Sequence, residues 1–193
     1  MTGGTRVAEI EPSTAIPFIK RWHYSGCATK GDHRYFGWYV GDDLYAVDDY
    51  GLGVNPYQAS GLTKLTGVTI HPFELVELKR LCRTEPRRDP LQLTQFLAEC
   101  HRRLAEPGVR YVVAFSDPAR GHTGGIYRAA GFRHLGVTKA EFHAVDGSGA
   151  IHHRRVYYRH ARRRGIDMAT ARAELGLRLV KTLPKDRWFG RIG

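Results

Sequence analysis

A chain of 193 residues with 42% hydrophobic side chains can bury the core of one domain and is too apolar to be disordered throughout. No apolar run nears the roughly 20 residues that span a bilayer. Three distant cysteines, Cys27, Cys82 and Cys100, give neither a CxxC pair nor a disulfide framework. Lys and Arg total 30 against 19 Asp and Glu, a net +11, and the excess is concentrated late: residues 150–193 carry 12 basic and 3 acidic side chains. That asymmetry points to a polyanion partner, with the arginines and interleaved aromatics of HHRRVYYRHARRRG suited to nucleic acid. The opening residues lack a basic-then-apolar signal pattern, so a cytoplasmic setting and no membrane partner are expected.

In chain order, STAIPFIKRWHYSG reads as a short helix capped by Ser13 or Thr14, with Ile16, Phe18, Ile19 and Trp22 apolar and a stop near Gly26. RYFGWYV and DDLYAVDDYG read as strands joined by a hairpin turn at Gly41-Asp42-Asp43. Residues 53–68 read as loop. FELVELKRLC reads as a strand with Phe73, Leu75 and Leu81 among its buried positions. Asp89 and Pro90 suit the start of a helix whose Leu93, Phe96, Leu97, Cys100 and Leu104 share one face, ended by Pro107-Gly108. RYVVAFS has the near-continuous apolar run of a strand buried on both faces. A short helix then precedes strands at RHLGVTKAEFHAV and RRVYYR. This order predicts a single α/β (α+β) domain, residues 1–193, around a central mixed sheet, with 150–193 as a basic C-terminal extension.

The stretch SDPARGHTGGIYRAAGF, residues 116–132, joins that central strand to the short helix. It matches neither GxxxxGK[ST] nor GxGxxG, which argues against a nucleotide-phosphate loop. Three readings stay open for it. Ser116, Asp117 and His122 are the residue types of a hydrolytic triad, Asp117 and His122 those of a general acid/base pair, and Asp117 before Pro118 equally suits a capped turn. Gly121, Gly124 and Gly125 either let backbone approach a ligand or supply positive φ. The helix N–H groups at Gly124 and Gly125 would suit a developing oxyanion.

IYRAAGF resembles the last helix and following strand of the GNAT N-acyltransferase fold, and the element order fits its mostly antiparallel sheet flanked by helices. The resemblance makes Tyr127 a general acid at the donor. The segment CRTEPRRDPLQL lies where that fold carries a glycine-rich coenzyme A loop and has no glycine, so the donor is expected to differ from ordinary acetyl-CoA. Arg83, Arg87 and Arg88 remain able to meet phosphates. WHYSG, ELKRL, SDPARGHTGGIYRAAGF and LPKDRW together resemble the phage Mom family of DNA-modification proteins, over most of residues 15–190; Asp186 and Trp188 depart from its usual ending.

That resemblance implies conversion of adenine N6 in duplex DNA to an N6-carbamoylmethyl form, protecting phage DNA from restriction in the host cytoplasm. An ordinary acyl-CoA N-acetyltransferase and a non-catalytic DNA-binding anti-restriction protein are the rival readings. On the leading one, Asp117 or His122 accepts the N6 proton and Tyr127 serves the leaving group. Ser116, His23 and Tyr24 complete the catalytic set, while Trp22, Tyr24 and Ser25 line the extruded base. Arg80, Arg83, Arg87, Arg88, Arg154, Arg155, Arg162, Arg163, Arg164, Lys185 and Arg187 would hold DNA phosphates. Mom-like proteins have been linked with iron, and His23, Asp117 and His122 are the residue types of a two-histidine, one-carboxylate site. The donor, and whether the protein is a homodimer, stay open.

Overall fold

The computed structural model describes residues 4–29, 31–53, 55, 57–84 and 92–192. Its chain divides into two compact units. The first holds residues up to Ser116, Thr123–Gly136 and the strand from Asp186 onward; the second holds Asp117–His122 and Val137–Lys185. The stretch expected to be a C-terminal extension is therefore split. Its last strand carries the apolar Trp188 and Phe189, and they are buried in the large sheet rather than in an appendage.

The first unit is built on seven strands: β1 (Thr5–Ile10), β2 (His33–Val40), β3 (Asp43–Gly51), β4 (Leu75–Arg83), β5 (Tyr111–Ser116), β6 (Arg133–Val137) and β10 (Asp186–Arg191). They lie in the order β1-β2-β3-β4-β5-β10-β6. β4 and β5 run parallel, and β5 pairs antiparallel with β10 on its other side. Helices cover both faces, and strand alternation decides which side chain meets which helix. Val112 and Ala114 face α3 (Leu93–Ala105) and α4 (Gly125–Ala129), in a cluster with Phe36, Trp38, Tyr50, Phe96, Leu97, Tyr127 and Trp188. Tyr111 and Val113 face α2 (Gln58–Thr66), while Tyr35, Val47 and Cys82 face α1 (Pro12–Trp22). Full burial of a side chain such as Phe96 or Leu97 contributes about 1.5–3 kcal/mol.

Several expectations are corrected. Residues 58–66 are the helix α2, because Ala59 and Leu62, three apart, bury one edge against Leu75 and Val113. Phe73 is 89% exposed, in a single 3-10 turn ahead of β4 rather than in the strand. Helix α1 starts at Pro12 behind Glu11, so Ser13 and Thr14 lie inside it and cap nothing. Helix α3 is capped by Gln92, whose side chain and that of Gln95 satisfy each other's backbone N–H groups; Asp89 and Pro90 lie outside the described residues. The expected face holds at Phe96, Leu97, Cys100 and Leu104, with His101 buried as well.

The second unit has a three-stranded sheet, β8 (Ile151–His152), β7 (Phe142–Val145) and β9 (Arg178–Lys181), with α5 (Arg154–Arg164) and α6 (Met168–Glu174). RRVYYR was expected to be a strand and lies in α5. Tyr157 and Ala161, four apart, bury one stripe against Ala171 and Leu177, and His153 caps the first turn at Arg155 N–H. Helical spacing of two buried residues outweighs the β preference of Val156 and the tyrosines.

Candidate functional site

The parallel ladder between β4 and β5 stops at Leu78 and Ala114, although β4 runs on to Arg83 and β5 to Ser116. The break coincides with a bulge. Asp49 pairs with Arg80 and Tyr50 with Leu78, leaving Lys79 as an extra residue that bends β4. Above this point the two central strands no longer pair with each other, which opens a cleft between β4 and β5.

Tyr127 of α4 belongs to the core cluster on the α3 side of this cleft, its ring against Phe132 and Trp188. Burial first, then the neighbouring Asp48 and Tyr24, raise its phenol pKa above the ordinary tyrosine range. Two residues nominated from sequence, Tyr24 and Tyr127, are thus near enough to feel each other's charge. Tyr24 is 48% exposed at the end of α1 and lies on the His23 ring at 4.3 Å between centroids.

His23 closes α1. Its Nδ1 is 2.7 Å from Ser25 Oγ, and Ser25 Oγ donates to the carbonyl of Cys27. Arg80, from the bulged part of β4, donates to that same carbonyl at 3.2 Å and to Lys79 O at 2.6 Å. Sequence reasoning gave Arg80 to DNA phosphates; here its guanidinium fastens the 23–27 segment to β4. Ser25 and Arg80 also hold the exposed Cys27 thiol below its usual range, whereas burial pushes Cys82 up to about 12 and Cys100 up as well. Trp22 packs half-buried beside Phe18 with Arg21 over its ring, which is a packing role.

At the end of β5, Ser116 is buried and serves as a joint rather than a nucleophile. Its Oγ accepts from Trp188 Nε1 at 2.9 Å and faces Asp186 Oδ2 at 3.5 Å, and Asp186 in turn meets His134 Nε2 at 3.0 Å. Gly124 has a definite reason to be glycine. Its φ is +71°, and a Cβ there would lie 2.2 Å from Trp188 Cζ2. The indole fills the space that a ligand was expected to take. Gly125 has no such crowding.

In the second unit, Asp117 is half-buried and its Oδ1 accepts from Ala119 N–H at 3.1 Å, the turn-capping reading of its position before proline. His122 is exposed, and its N–H closes the same turn onto Asp117 O. Among the described residues no three His, Cys, Asp or Glu side chains gather as a metal site needs; of the set His23, Asp117 and His122, the first belongs to the first unit and the other two to the second. Arg154, Arg155, Arg162, Arg163 and Arg164 are exposed on α5 and Lys185 beyond β9, while Arg83 and Arg187 are half-buried in the first unit. Arg87 and Arg88 lie outside the described residues.

Sequence reasoning missed the buried polar groups around the bulge. On the α1 face His33 Nδ1 bonds Asp49 Oδ1, and Thr29 Oγ1 donates to Asp49 Oδ2 at 2.8 Å. Lys79 Nζ meets Glu77 Oε2 at 3.1 Å with side chains only 5% and 13% exposed. On the α3 face Asp48, wholly buried, accepts from Tyr50 at 3.1 Å. The signal was present in AVDDYG, since two adjacent aspartates in a strand face opposite ways and one of them must enter a core.

Comparison with known proteins accords with this architecture. A family model described as the Mom protein family matches residues 4–184. The methylcarbamoylase mom of Escherichia phage Mu is 26% identical over 144 residues, 74% of this chain and 58% of that protein, so the match spans less than two thirds of the relative. Among solved structures, the ribosomal-protein-S18-alanine N-acetyltransferase of Escherichia coli superposes with a TM-score of 0.52 at 10% identity, covering 98% of this chain and 95% of its own. A GNAT-family acetyltransferase from Streptococcus pneumoniae superposes with a TM-score of 0.53 at 8% identity, covering 98% and 100%. Such likenesses establish the GNAT fold. No helix among the described residues is long and apolar enough to cross a membrane. With its family model matched from residue 4 to residue 184, the chain belongs to the Mom protein family.

Proposed function

We propose that this protein is a transferase that modifies the N6 amine of adenine in duplex DNA with a carbamoylmethyl-type group, shielding phage DNA from restriction. The observation that carries the reading is the Mom-family match over residues 4–184, and the parting of β4 from β5 supports it. The N6 lone pair is delocalised into the ring, so the amine must be held against its electrophile and lose a proton as the new bond forms. Extrusion of the base from the duplex brings N6 to the cleft. Tyr127, whose raised pKa keeps its proton at neutral pH, protonates the departing group of the donor. Backbone N–H groups of β4 beyond Leu78, where its ladder with β5 has ended, hold negative charge that develops on the donor. The arginines of α5 hold the phosphate backbone and set the salt dependence of binding. The donor is proposed to be a small or carrier-bound molecule other than acetyl-CoA, and the protein to work in the host cytoplasm.

Mass spectrometry of nucleosides from the DNA of expressing cells tests the reading. A carbamoylmethyl-type adduct on deoxyadenosine is expected, and unmodified deoxyadenosine beside abundant folded protein would refute it. Tyr127→Phe should abolish the adduct and leave DNA binding intact. Asp117→Asn and His122→Gln test which of the two groups nominated from sequence takes the N6 proton.

A further inference from the structure

Buried polar atoms are almost always paired, and one left alone in a core asks for a partner that the protein does not supply. Asp48 is such a case. It sits on β3 opposite Leu81 of β4, beyond Leu78, where β4 has already parted from β5. Its side chain has no solvent exposure and meets Tyr50 and Cys100, which belong to the same core cluster as Tyr127. Tyr50 donates to Oδ2, while Oδ1 has no partner among the described residues.

We propose that Asp48 is a ligand contact of the cleft: its Oδ1 hydrogen-bonds a carbonyl oxygen of the group that Tyr127 helps to transfer. The inference rests on the transferase reading above and adds the recognition of the transferred group. The charged groups and phenols facing Asp48 favour this role. Burial raises its pKa well above the carboxylate range, an effect that Tyr50 and Cys100 reduce and the nearby Asp49 reinforces. Held neutral, the acid has one O–H to give. Because Oδ2 is the oxygen that accepts from Tyr50, the proton belongs on Oδ1, and since Cys100 beside the carboxyl offers only a weak sulfur acceptor, that O–H calls for a stronger one. A carbonyl oxygen fits, and it would be held more tightly as negative charge builds on it; other active sites use buried neutral carboxylic acids in this way. A donor whose transferred group lacks a carbonyl would leave that O–H unpaired, and sites built around a polar contact reject such analogues by factors of about 10⁴.

The test uses the full-length protein and three side chains at position 48. Asp48→Asn keeps an N–H donor and should retain adduct formation within about tenfold, whereas Asp48→Leu, of similar volume and without a donor, should lose it by about a hundredfold or more while still binding DNA. Acetamide supplies a carbonyl without the unknown donor. Its infrared carbonyl stretch should shift on binding the wild-type protein and stay unshifted with Asp48→Leu. Wild-type adduct levels in Asp48→Leu, or equal losses in the Asn and Leu variants, would overturn the assignment. If the wild type leaves DNA unmodified yet shifts acetamide in an Asp48-dependent way, the carbonyl contact stands and the adenine reading falls.

Discussion

Replacing Asp48 by Asn should stabilise the folded protein, and by more as the pH rises. The carboxyl is fully buried and its folded pKa is raised, with desolvation as the largest cause. Below the ordinary carboxyl pKa both folded and unfolded chains carry the proton, and Asp48 contributes fully to stability. Above it the unfolded chain releases the proton and the folded chain does not, so stability is lost until the pH passes the raised folded value. One such group costs about 1.4 kcal/mol per pH unit across that window. Asparagine is nearly isosteric, still accepts from Tyr50 through its amide oxygen, and has no proton to lose. The two stability curves should therefore diverge above about pH 4. In a chain of this size the gap in melting temperature should widen by about 3–5 °C per pH unit. Urea unfolding of both proteins at half-unit steps from pH 4 to 6.5 measures this directly. A gap that stays constant with pH would mean that Asp48 is ionised in the fold and would refute the reasoning.

His101 should act in the opposite direction. Burial lowers its pKa to about 4, so its contribution is whole above the unfolded value and is lost as the pH falls through about 4; His101→Phe should remove about 3 kcal/mol of acid destabilisation in pH-dependent denaturation. Gly124→Ala meets both the positive φ and the Trp188 ring and should cost about 3 kcal/mol or more, read as a shifted tryptophan emission and a lower melting temperature, while Gly125→Ala should be close to neutral. Ser116→Ala strands the Trp188 N–H and should cost about 1–3 kcal/mol in chemical denaturation. Iodoacetamide at neutral pH should label Cys27 and spare Cys82 and Cys100 until the chain unfolds, with Arg80→Ala slowing the reaction, as peptide mass spectrometry can show.

The elements legible in the sequence were those whose local pattern and burial agree. The Gly41-Asp42 turn, the apolar run of β5 and the 96–104 face of α3 all need only near neighbours to be recognised. Helix α2 was hidden because its Gly61 and threonines are poor helix formers and its stabilisation comes from Leu75 and Val113, distant in the chain. At the strand-to-helix corner after β5 the turn was legible and the side-chain contacts were not. The corner after β5 was found, yet what Ser116 and Gly124 do depends on Trp188, more than sixty residues later. Asp48 is only half legible: AVDDYG says that an aspartate must enter a core, but nothing local says which of the two packs toward α3, or that one of its oxygens goes unanswered.

Residues 138–185, the longer segment of the second unit, interrupt the large sheet in sequence, leaving after β6 and returning at β10. Its two ends are tied at the neck, where Thr138 N–H donates to Lys185 O at 2.8 Å and Lys185 N–H to Thr138 Oγ1 at 3.0 Å. A detour of about fifty residues held shut in this way adds little to the entropic cost of forming the sheet, because loop closure grows only with the logarithm of length. Such an insert can lengthen, shrink or exchange its arginines with small effect on the strands that flank it. Evolution can thus retune the basic helix α5 as a cassette, while the paired core that carries the cleft stays fixed.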